Sequence, residues 1–364
     1  MISQATEETP TNREPKAPTG AEVLTDRSTA YRELVSVIIP CYNEERFICK
    51  ALRSLADQYD EDCLEIIVID GMSTDRTREA VDEFKRERPD LAVIIIENQQ
   101  RVIPVGLNLG IKAARGKIIA RMDAHAVPSR SYLNRTVEAL ALDNSGIVGM
   151  PCRVLPANNT LTARAIACAV SHPFGIGDAK YRLATGSLPQ ESVDTVAFAS
   201  FRKSLWEELG GYNESLLTNE DYDFNYRARK AGYKVILVRA GYCDYFARES
   251  LASLRAQYVR YGKWKARMLR IHPGSLKLRH LVAPSFVLSL PVLFLVALII
   301  WPLAFVPLGL EIGLYLLLSV VCAWRIARAN DGGVRMFLIM PFVFLTIHLS
   351  WGTSFLFSLV RKPS

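Results

Sequence analysis

Two kinds of hydrophobic pattern divide this chain of 364 residues. Up to about residue 122, short β-branched runs alternate with stretches whose apolar residues recur at helical spacing. Val35-Ser-Val-Ile-Ile39 reads as a buried strand closed by Pro40, and residues 44–57 place Phe47, Leu52 and Leu55 on one helical face. Ile66-Ile-Val-Ile69 is a second strand run that ends at Asp70-Gly71, and Ser73-Thr-Asp75 predicts the N-cap of a helix over 76–88. Val93–Ile96 predicts a third strand, 103–114 a helix, and Lys117–Met122, after Gly116, a fourth strand. Strands alternating with helices of this length predict an α/β domain built on a parallel sheet with right-handed crossovers. Ligands of such sheets sit at the carboxyl ends of the strands. Three polar clusters fall there: Cys41-Tyr-Asn-Glu44, Asp70-Gly71 and Asp123-Ala-His125.

From 146 to about 250 the pattern is less regular. It predicts a helical stretch near 161–172 and a loop with Gly175, Gly177 and Gly186. A strand-like Thr195–Phe201 follows, then a helix from about Glu220 and a strand closing at Val238. The C-terminal third changes character. Residues 281–310 and 336–360 contain no Asp, Glu, Lys or Arg. The first run is too long for one crossing of a bilayer, since about 20 residues suffice, and Pro302 and Pro307 punctuate it. Three spans are expected, at about 281–301, 306–324 and 336–360, with Glu311 placed near the outer interface.

Charge sharpens that picture. The chain has 44 Lys and Arg against 37 Asp and Glu, a net charge of +7. The first 250 residues carry −4 and the remainder +11. Residues 251–280 hold eight Lys/Arg and no acid, interleaved with Leu254, Tyr258, Tyr261, Trp264 and Met268. A basic collar next to apolar runs points to a membrane surface and away from nucleic acid. Arg325, Arg328 and Arg335 follow the second span, while the first loop has no basic residue. The positive-inside rule then puts 251–280 and 325–335 in the cytoplasm. The seven cysteines include no CxxC pair, which argues against a disulfide framework and for a reducing compartment. Residues 1–34 lack an apolar stretch and read as a disordered tail without a signal peptide.

The chemistry lies after the strands. Asp123 and His125, two residues apart on a turn, suit a shared Mg²⁺ or Mn²⁺ bridging a diphosphate; the plainer alternative is an Asp that caps the next helix. Asp70 is suited to accept the N3–H of a uracil-type base, whereas Asp75 reads as a helix cap. Thr218-Asn-Glu-Asp-Tyr-Asp223 opens a helix, where acids favour the macrodipole and where one can act as a general base towards a sugar hydroxyl. At about 100° per residue, Glu220, Asp221 and Asp223 point to different sides, so only one would face the reacting carbon.

These motifs carry a resemblance. Val35–Glu45, Asp70-Gly-Met-Ser-Thr-Asp75, Arg115–His125 and Asn219-Glu-Asp221 occur in the order found in family 2 glycosyltransferases. Arg121-Met-Asp-Ala-His-Ala126 and Gln257-Tyr-Val-Arg-Tyr-Gly-Lys-Trp264 are similar to the succinoglycan-type exopolysaccharide subgroup. The resemblance implies a GT-A fold, Rossmann-like and nucleotide-sugar-binding, over 35–250. A basic interfacial amphipathic segment at 251–280 and a transmembrane region at 281–360 complete the expected domains. It implies that Pro40, Tyr42, Glu44, Asp70 and Asp123 line the donor site, with Asp123 and His125 as metal ligands. Asp221 would be the catalytic base, and Glu220, Gln257, Arg260 and Trp264 would stand on the acceptor or diphosphate side. His125 replaces the family's third DxD carboxylate. QxxRW appears as Gln257-Tyr-Val-Arg260-Tyr261, with Trp264 one turn later, which argues against processive synthesis. The implied activity is inverting transfer of a sugar, glucose first among them, from a UDP-sugar to a polyprenyl-diphosphate-linked acceptor in exopolysaccharide biosynthesis. It would occur at the cytoplasmic face of a bacterial inner membrane, with membrane lipid and other exopolysaccharide assembly enzymes as further partners. A processive synthase and a non-catalytic nucleotide-sugar-binding scaffold are the alternatives.

Overall fold

The computed structural model describes residues 33–142, 145–183, 188–330 and 332–361. The expectation for the N-terminal tail lies outside the described residues, apart from its last two positions. Strands β1 (Val35–Cys41), β2 (Leu64–Asp70), β3 (Ala92–Glu97) and β4 (Ile118–Arg121) form the parallel part of an eight-stranded sheet, ordered β3-β2-β1-β4. Helices α1 (Ile48–Ala56), α2 (Thr77–Glu87) and α3 (Ile103–Ala113) provide the crossovers. β1 and β2 are apolar nearly throughout because helices cover both faces. Val35, Val37 and Ile39 pack with Leu52 and Phe84 on one side, while Ile38, Ile67 and Ile69 meet Leu107 and Ile111 of α3 on the other. α3 lies close to the sheet because Gly110 has no side chain. A Cβ there would stand 2.8 Å from both Ile38 and Ile69.

Beyond β4 the expected parallel sheet becomes mixed. Ser200–Arg202 runs antiparallel to β4 and to Ser145–Gly149; Lys234–Val238 is parallel to the latter, and Gln190–Ser192 closes the edge antiparallel. The strand expected over Thr195–Phe201 begins only at Ser200, because Phe198 sits at φ 51° and turns the chain. A three-stranded sheet, Val127–Pro128, Cys243–Phe246 and Cys152–Leu155, stands beside it.

One buried carboxylate ties the amino ends of the central strands together. Glu65 of β2 accepts hydrogen bonds from Ser36 Oγ (2.5 Å), Arg115 N (2.7 Å), Arg115 Nε (2.8 Å) and Gly116 N (3.3 Å). The Arg115-Gly116 pair therefore fixes where β4 begins.

The C-terminal region consists of a basic helix, Leu251–Ile271, and three helices long and apolar enough to cross a membrane: Arg279–Ile299, Pro302–Ala329 and Gly333–Val360. The face of the basic helix expected to lie on lipid is instead largely covered by protein. Leu254 and Tyr258 pack with Met340, Phe344 and Ile347 of the third apolar helix, and Trp264 and Met268 pack with Leu216. Gly262 makes this possible, since a Cβ there would come within 2.5 Å of Trp351 O. Arg255, Arg260, Lys263 and Arg270 remain exposed. Glu311 has a partner inside the protein: its Oε1 accepts from Ser289 Oγ at 2.6 Å, at the middle of the first apolar helix, so a helix–helix hydrogen bond satisfies the carboxyl.

Burial pushes the Glu65 carboxyl up, but the bonds from Ser36 and Arg115 outweigh it and hold the group below its ordinary value. A carboxylate depressed in the folded state stabilises above its unfolded pKa, and that contribution is lost as pH falls through the folded value. Glu65→Ala, which strands several buried donors, should cost about 3–5 kcal/mol at neutral pH. Glu65→Gln should lose stability at pH 7 and show a shallower acid loss than the parent. Denaturation followed from about pH 7 to pH 3 measures both; an unchanged acid slope in Glu65→Gln would mean that Glu65 is not the linked group.

Candidate active site

The loops after β1 and β2 are stapled to each other. Asn43, held at φ 56°, donates its backbone N–H to Ser73 Oγ (3.0 Å) and accepts from Thr74 N through Oδ1 (2.8 Å). Glu44 N donates to Thr77 Oγ1 (2.8 Å), and Arg76 N donates to Glu45 Oε2 (3.0 Å). Asp75 accepts from Thr77 N (3.0 Å) and Glu45 N (3.2 Å); the N-cap position of α2 itself is Arg76, so Asp75, one residue earlier than a cap, holds the first amide of the helix and braces the neighbouring loop. Asp70 is buried at the end of β2, where its oxygens accept from Ser73 N (3.1 and 3.2 Å) and Arg78 Nε (2.5 Å). Tyr42 stands exposed beside Arg101, whose guanidinium lies 5.5 Å from the ring.

A second cluster forms at the end of β4. The buried Arg121 guanidinium contacts Asp221 Oδ2, with Asp123 Oδ1 at 3.2 Å and Glu220 Oε1 at 3.3 Å. Asp123 follows β4, whereas Glu220 and Asp221 open the helix Glu220–Lys230, entered through Asn219 at φ 71°. Burial alone would lower the Arg121 pKa; Asp221, Asp123 and Glu220 overcome it and hold the group well above its usual range. Burial and the Asp221 charge push Glu220 up to about 7, and burial likewise raises Asp221 against the pull of Arg121. Asp221 Oδ1 is buried without a hydrogen-bond partner among the described residues.

The three helix-opening acids do not point three ways. Glu220 and Asp221 converge on one guanidinium, and only Asp223 turns away, to Arg227 Nε and His272 Nε2, each at 2.8 Å. His125 is paired with Glu44. Its Nδ1 lies 2.9 Å from Glu44 Oε1. Burial opposes a charge on the imidazole, but Glu44 and then Asp123 raise its pKa above the ordinary histidine value. Among the described residues no three His, Cys, Asp or Glu side chains converge as a ready-made metal site. Asp123 nevertheless fits a divalent ion that takes one protein carboxylate and completes its shell with diphosphate oxygens and water.

A cavity of about 730 Å³ opens from Asp123 and Asp221 and continues to side chains of the apolar helices, including Phe286, Tyr315 and Ile347. Pro40, Tyr42, Glu44 and Asp70 do not line it, and neither do Gln257, Arg260 and Trp264. Gln257 is buried and donates to the hydroxyls of Tyr245 and Tyr261, Arg260 is exposed, and Trp264 is packed in the protein. From that segment the cavity receives Tyr258, Tyr261 and Lys265, and from the short helix Lys180–Leu183 it receives Arg182. The sequence pattern put Tyr258 and Tyr261 on the lipid-facing side of the basic helix and gave no site role to them, to Lys265, to Arg182 or to Arg121. Arg121 lay in a quoted motif, and an Arg two residues before an Asp after a buried strand was the available signal. The other four had none.

Residues 36–210 match the family described as Glycosyl transferase family 2. Over 88% of this chain and 93% of its relative, the sequence is 28% identical to the succinoglycan biosynthesis protein ExoA of Rhizobium meliloti (strain 1021). It is 26% identical to the dolichyl N-acetyl-alpha-D-glucosaminyl phosphate 3-beta-D-2,3-diacetamido-2,3-dideoxy-beta-D-glucuronosyltransferase of Methanococcus voltae, over 65% of this chain and 74% of that one. Among solved structures, the mannosyltransferase PcManGT from Pyrobaculum calidifontis, in complex with GDP-Man and Mn²⁺, superposes with a TM-score of 0.56 at 22% identity. That likeness covers 88% of this chain and 87% of the other, and it gives the fold as GT-A.

Removing the guanidinium would leave three carboxylates facing one another in a buried site. Arg121→Met should therefore cost about 3–5 kcal/mol, read as a lowered melting temperature in detergent. An unshifted melt would mean that the three acids are solvated independently of Arg121.

Proposed function

Residues 36–210 are a family 2 glycosyltransferase domain and the chain is a glycosyltransferase; from that premise we propose a membrane-anchored, inverting enzyme that moves glucose from UDP-glucose to a lipid-linked oligosaccharide in exopolysaccharide biosynthesis. One observation carries the reading: the carboxylates gathered on Arg121 face a cavity that continues among helices fit to span a bilayer. An acceptor with a sugar head and a lipid tail matches a site polar at one end and apolar at the other. The likeness to a succinoglycan biosynthesis protein and to a transferase named for a dolichyl-linked substrate supports the same acceptor class. The uridine choice rests on Asp70, buried at the end of β2.

In this reading Asp221 accepts the proton of the acceptor hydroxyl through Oδ1, the oxygen that has no partner among the described residues. The hydroxyl oxygen bonds to the anomeric carbon as the bond from that carbon to the diphosphate breaks, inverting the centre in one step. Arg121 fixes the carboxylate through Oδ2 and keeps Glu220 and Asp123 in register with it. Asp123 would hold Mg²⁺ or Mn²⁺, which supplies charge neutralisation to the departing diphosphate. The three apolar helices are read as spans, with the basic helix and the turn after Ala329 cytoplasmic.

Asp221→Asn should slow transfer at least about a hundredfold while leaving UDP-glucose affinity within about twofold. Glu220→Gln should do less, since it leaves the unpartnered oxygen of Asp221 in place. Rates with radiolabelled donor and polyprenyl-diphosphate-linked acceptor measure this, and near-normal turnover by Asp221→Asn would remove the base assignment. The topology has its own check, with single cysteines in a background lacking the native seven. Leu303→Cys should react with an impermeant maleimide from outside the cell, and Asn330→Cys only after lysis. The reverse pattern would invert the protein in the membrane.

A further inference from the structure

The cavity is also lined by two bases that, among the described residues, form no ion pair with a carboxylate. Arg182, on the short helix Lys180–Leu183, has no acid within ion-pair distance among the described residues. Its guanidinium is surrounded by tyrosines: the Tyr245 ring at 5.2 Å and the Tyr181 ring at 5.6 Å, with Tyr258 and Tyr261 lining the same cavity. Gln257 organises this cage, because its Nε2 donates at 3.1 Å to the hydroxyl oxygens of both Tyr245 and Tyr261. A phenol that accepts from an amide keeps its own O–H free to donate elsewhere. Lys265 is the second base. Its Nζ lies 3.7 Å from the centre of the Tyr222 ring and donates to Ser275 O at 3.3 Å. Burial draws it down to about 7, so an anion beside it would restore its proton.

Neighbouring charges show how unusual this is. Arg279, which lines the same cavity, is paired with Asp178 and Asp194, and Arg121 has three carboxylates. A guanidinium removed from bulk water without a counter-charge is costly, and arginine cannot shed its proton to escape the cost. The missing charge is therefore expected from a ligand. Phosphate and diphosphate are the anions that a guanidinium with phenol donors matches best. Both substrates of the reaction proposed above could bring one.

We infer that Arg182, in its tyrosine cage and with Lys265, seats the phosphate groups of the lipid-linked acceptor while the lipid chain lies among the three apolar helices. The inference rests on the lipid-acceptor reading. The acceptor is favoured over the donor because the cavity that holds Arg182 also reaches Phe286, Leu314 and Ile347, whereas of the expected donor residues only Asp123 lines it and Pro40, Tyr42, Glu44 and Asp70 do not.

Full-length protein in nanodiscs tests this with two probes, farnesyl diphosphate and UDP, titrated separately. Arg182→Ala should weaken farnesyl diphosphate at least about tenfold and leave UDP within about twofold. Arg182→Lys should restore part of the loss, which a purely structural role would not predict. Lys265→Gln should act in the same direction and covers the case in which Arg182→Ala fails to fold. Loss of UDP affinity with farnesyl diphosphate unchanged would give the seat to the donor and overturn the proposal; so would no change in either. Turnover separates this from its premise. Lipid-linked transfer that is indifferent to Arg182 sinks the seat and keeps the function, whereas Arg182-dependent farnesyl diphosphate binding without any transfer to lipid-linked sugars keeps the seat and sinks the function.

Discussion

A single buried guanidinium holds the candidate site in shape. Arg121 ends β4 and meets Asp123 from its own turn and Glu220 and Asp221 from a helix a hundred residues later. Three carboxylates would repel one another at this depth, and one arginine among them leaves an excess of negative charge. That excess is useful where a divalent cation and a diphosphate must meet. It also explains why Glu220 and Asp221 both sit above their ordinary pKa values although they contact a cation. Burial raises both, and one positive charge shared three ways does not fully repay it.

The sheet reaches that arginine only because its strands are held in register at the opposite edge. Glu65 binds Ser36 of β1 and the Arg115-Gly116 turn, so β1, β2 and β4 begin at fixed offsets. At their other ends Cys41 stands opposite Asp70, and Ile38 opposite Arg121. A shift at Glu65 would therefore move Arg121 relative to the β1 loop. The hydrogen bonds of Asn43, Glu44 and Glu45 to the Ser73–Thr77 segment make the adjacent rim rigid in its own right. Glu44 joins rim to site through His125.

The parts of this arrangement that were legible in the sequence are those that short-range patterns specify. β1 and β2 are covered on both faces and read as β-branched runs, and α1 and α3 show their buried faces at helical spacing. Asp70, Asp123 and Asp221 could be singled out as candidates because strand ends and helix starts are visible positions. The mixed half of the sheet was not legible. Ser200–Arg202 and Gln190–Ser192 are three residues each, too short to establish a period, and only the turn at Phe198 separates strand from loop. Nor was the fate of Arg260 and Trp264, whose helix rotates Tyr258, Tyr261 and Lys265 into the cavity instead. The partner of His125 depended on a loop 81 residues away, which no local spacing encodes.

The domain and the apolar helices can share one cavity only if they are fixed to each other, and several contacts do this without relying on the bilayer. The basic helix presses Gly262 against the backbone at Trp351. Arg270 donates to Leu359 O (3.1 Å) and Arg361 O (2.7 Å), closing the carbonyl end of the third apolar helix where a cation is favoured. Deeper in, His348 Nε2 meets the carbonyl of Phe174 at 2.8 Å, which requires the ring to donate there. Its Nδ1 stands 3.0 Å from the Tyr315 hydroxyl, so one imidazole links the short helix Pro173–Ile176 to the second and third apolar helices. Polar groups packed among apolar helices persist when they satisfy one another in this way. The arrangement sets the acidic cluster and the apolar helices in a fixed relation, so the cavity that both line is preformed rather than assembled when a ligand arrives.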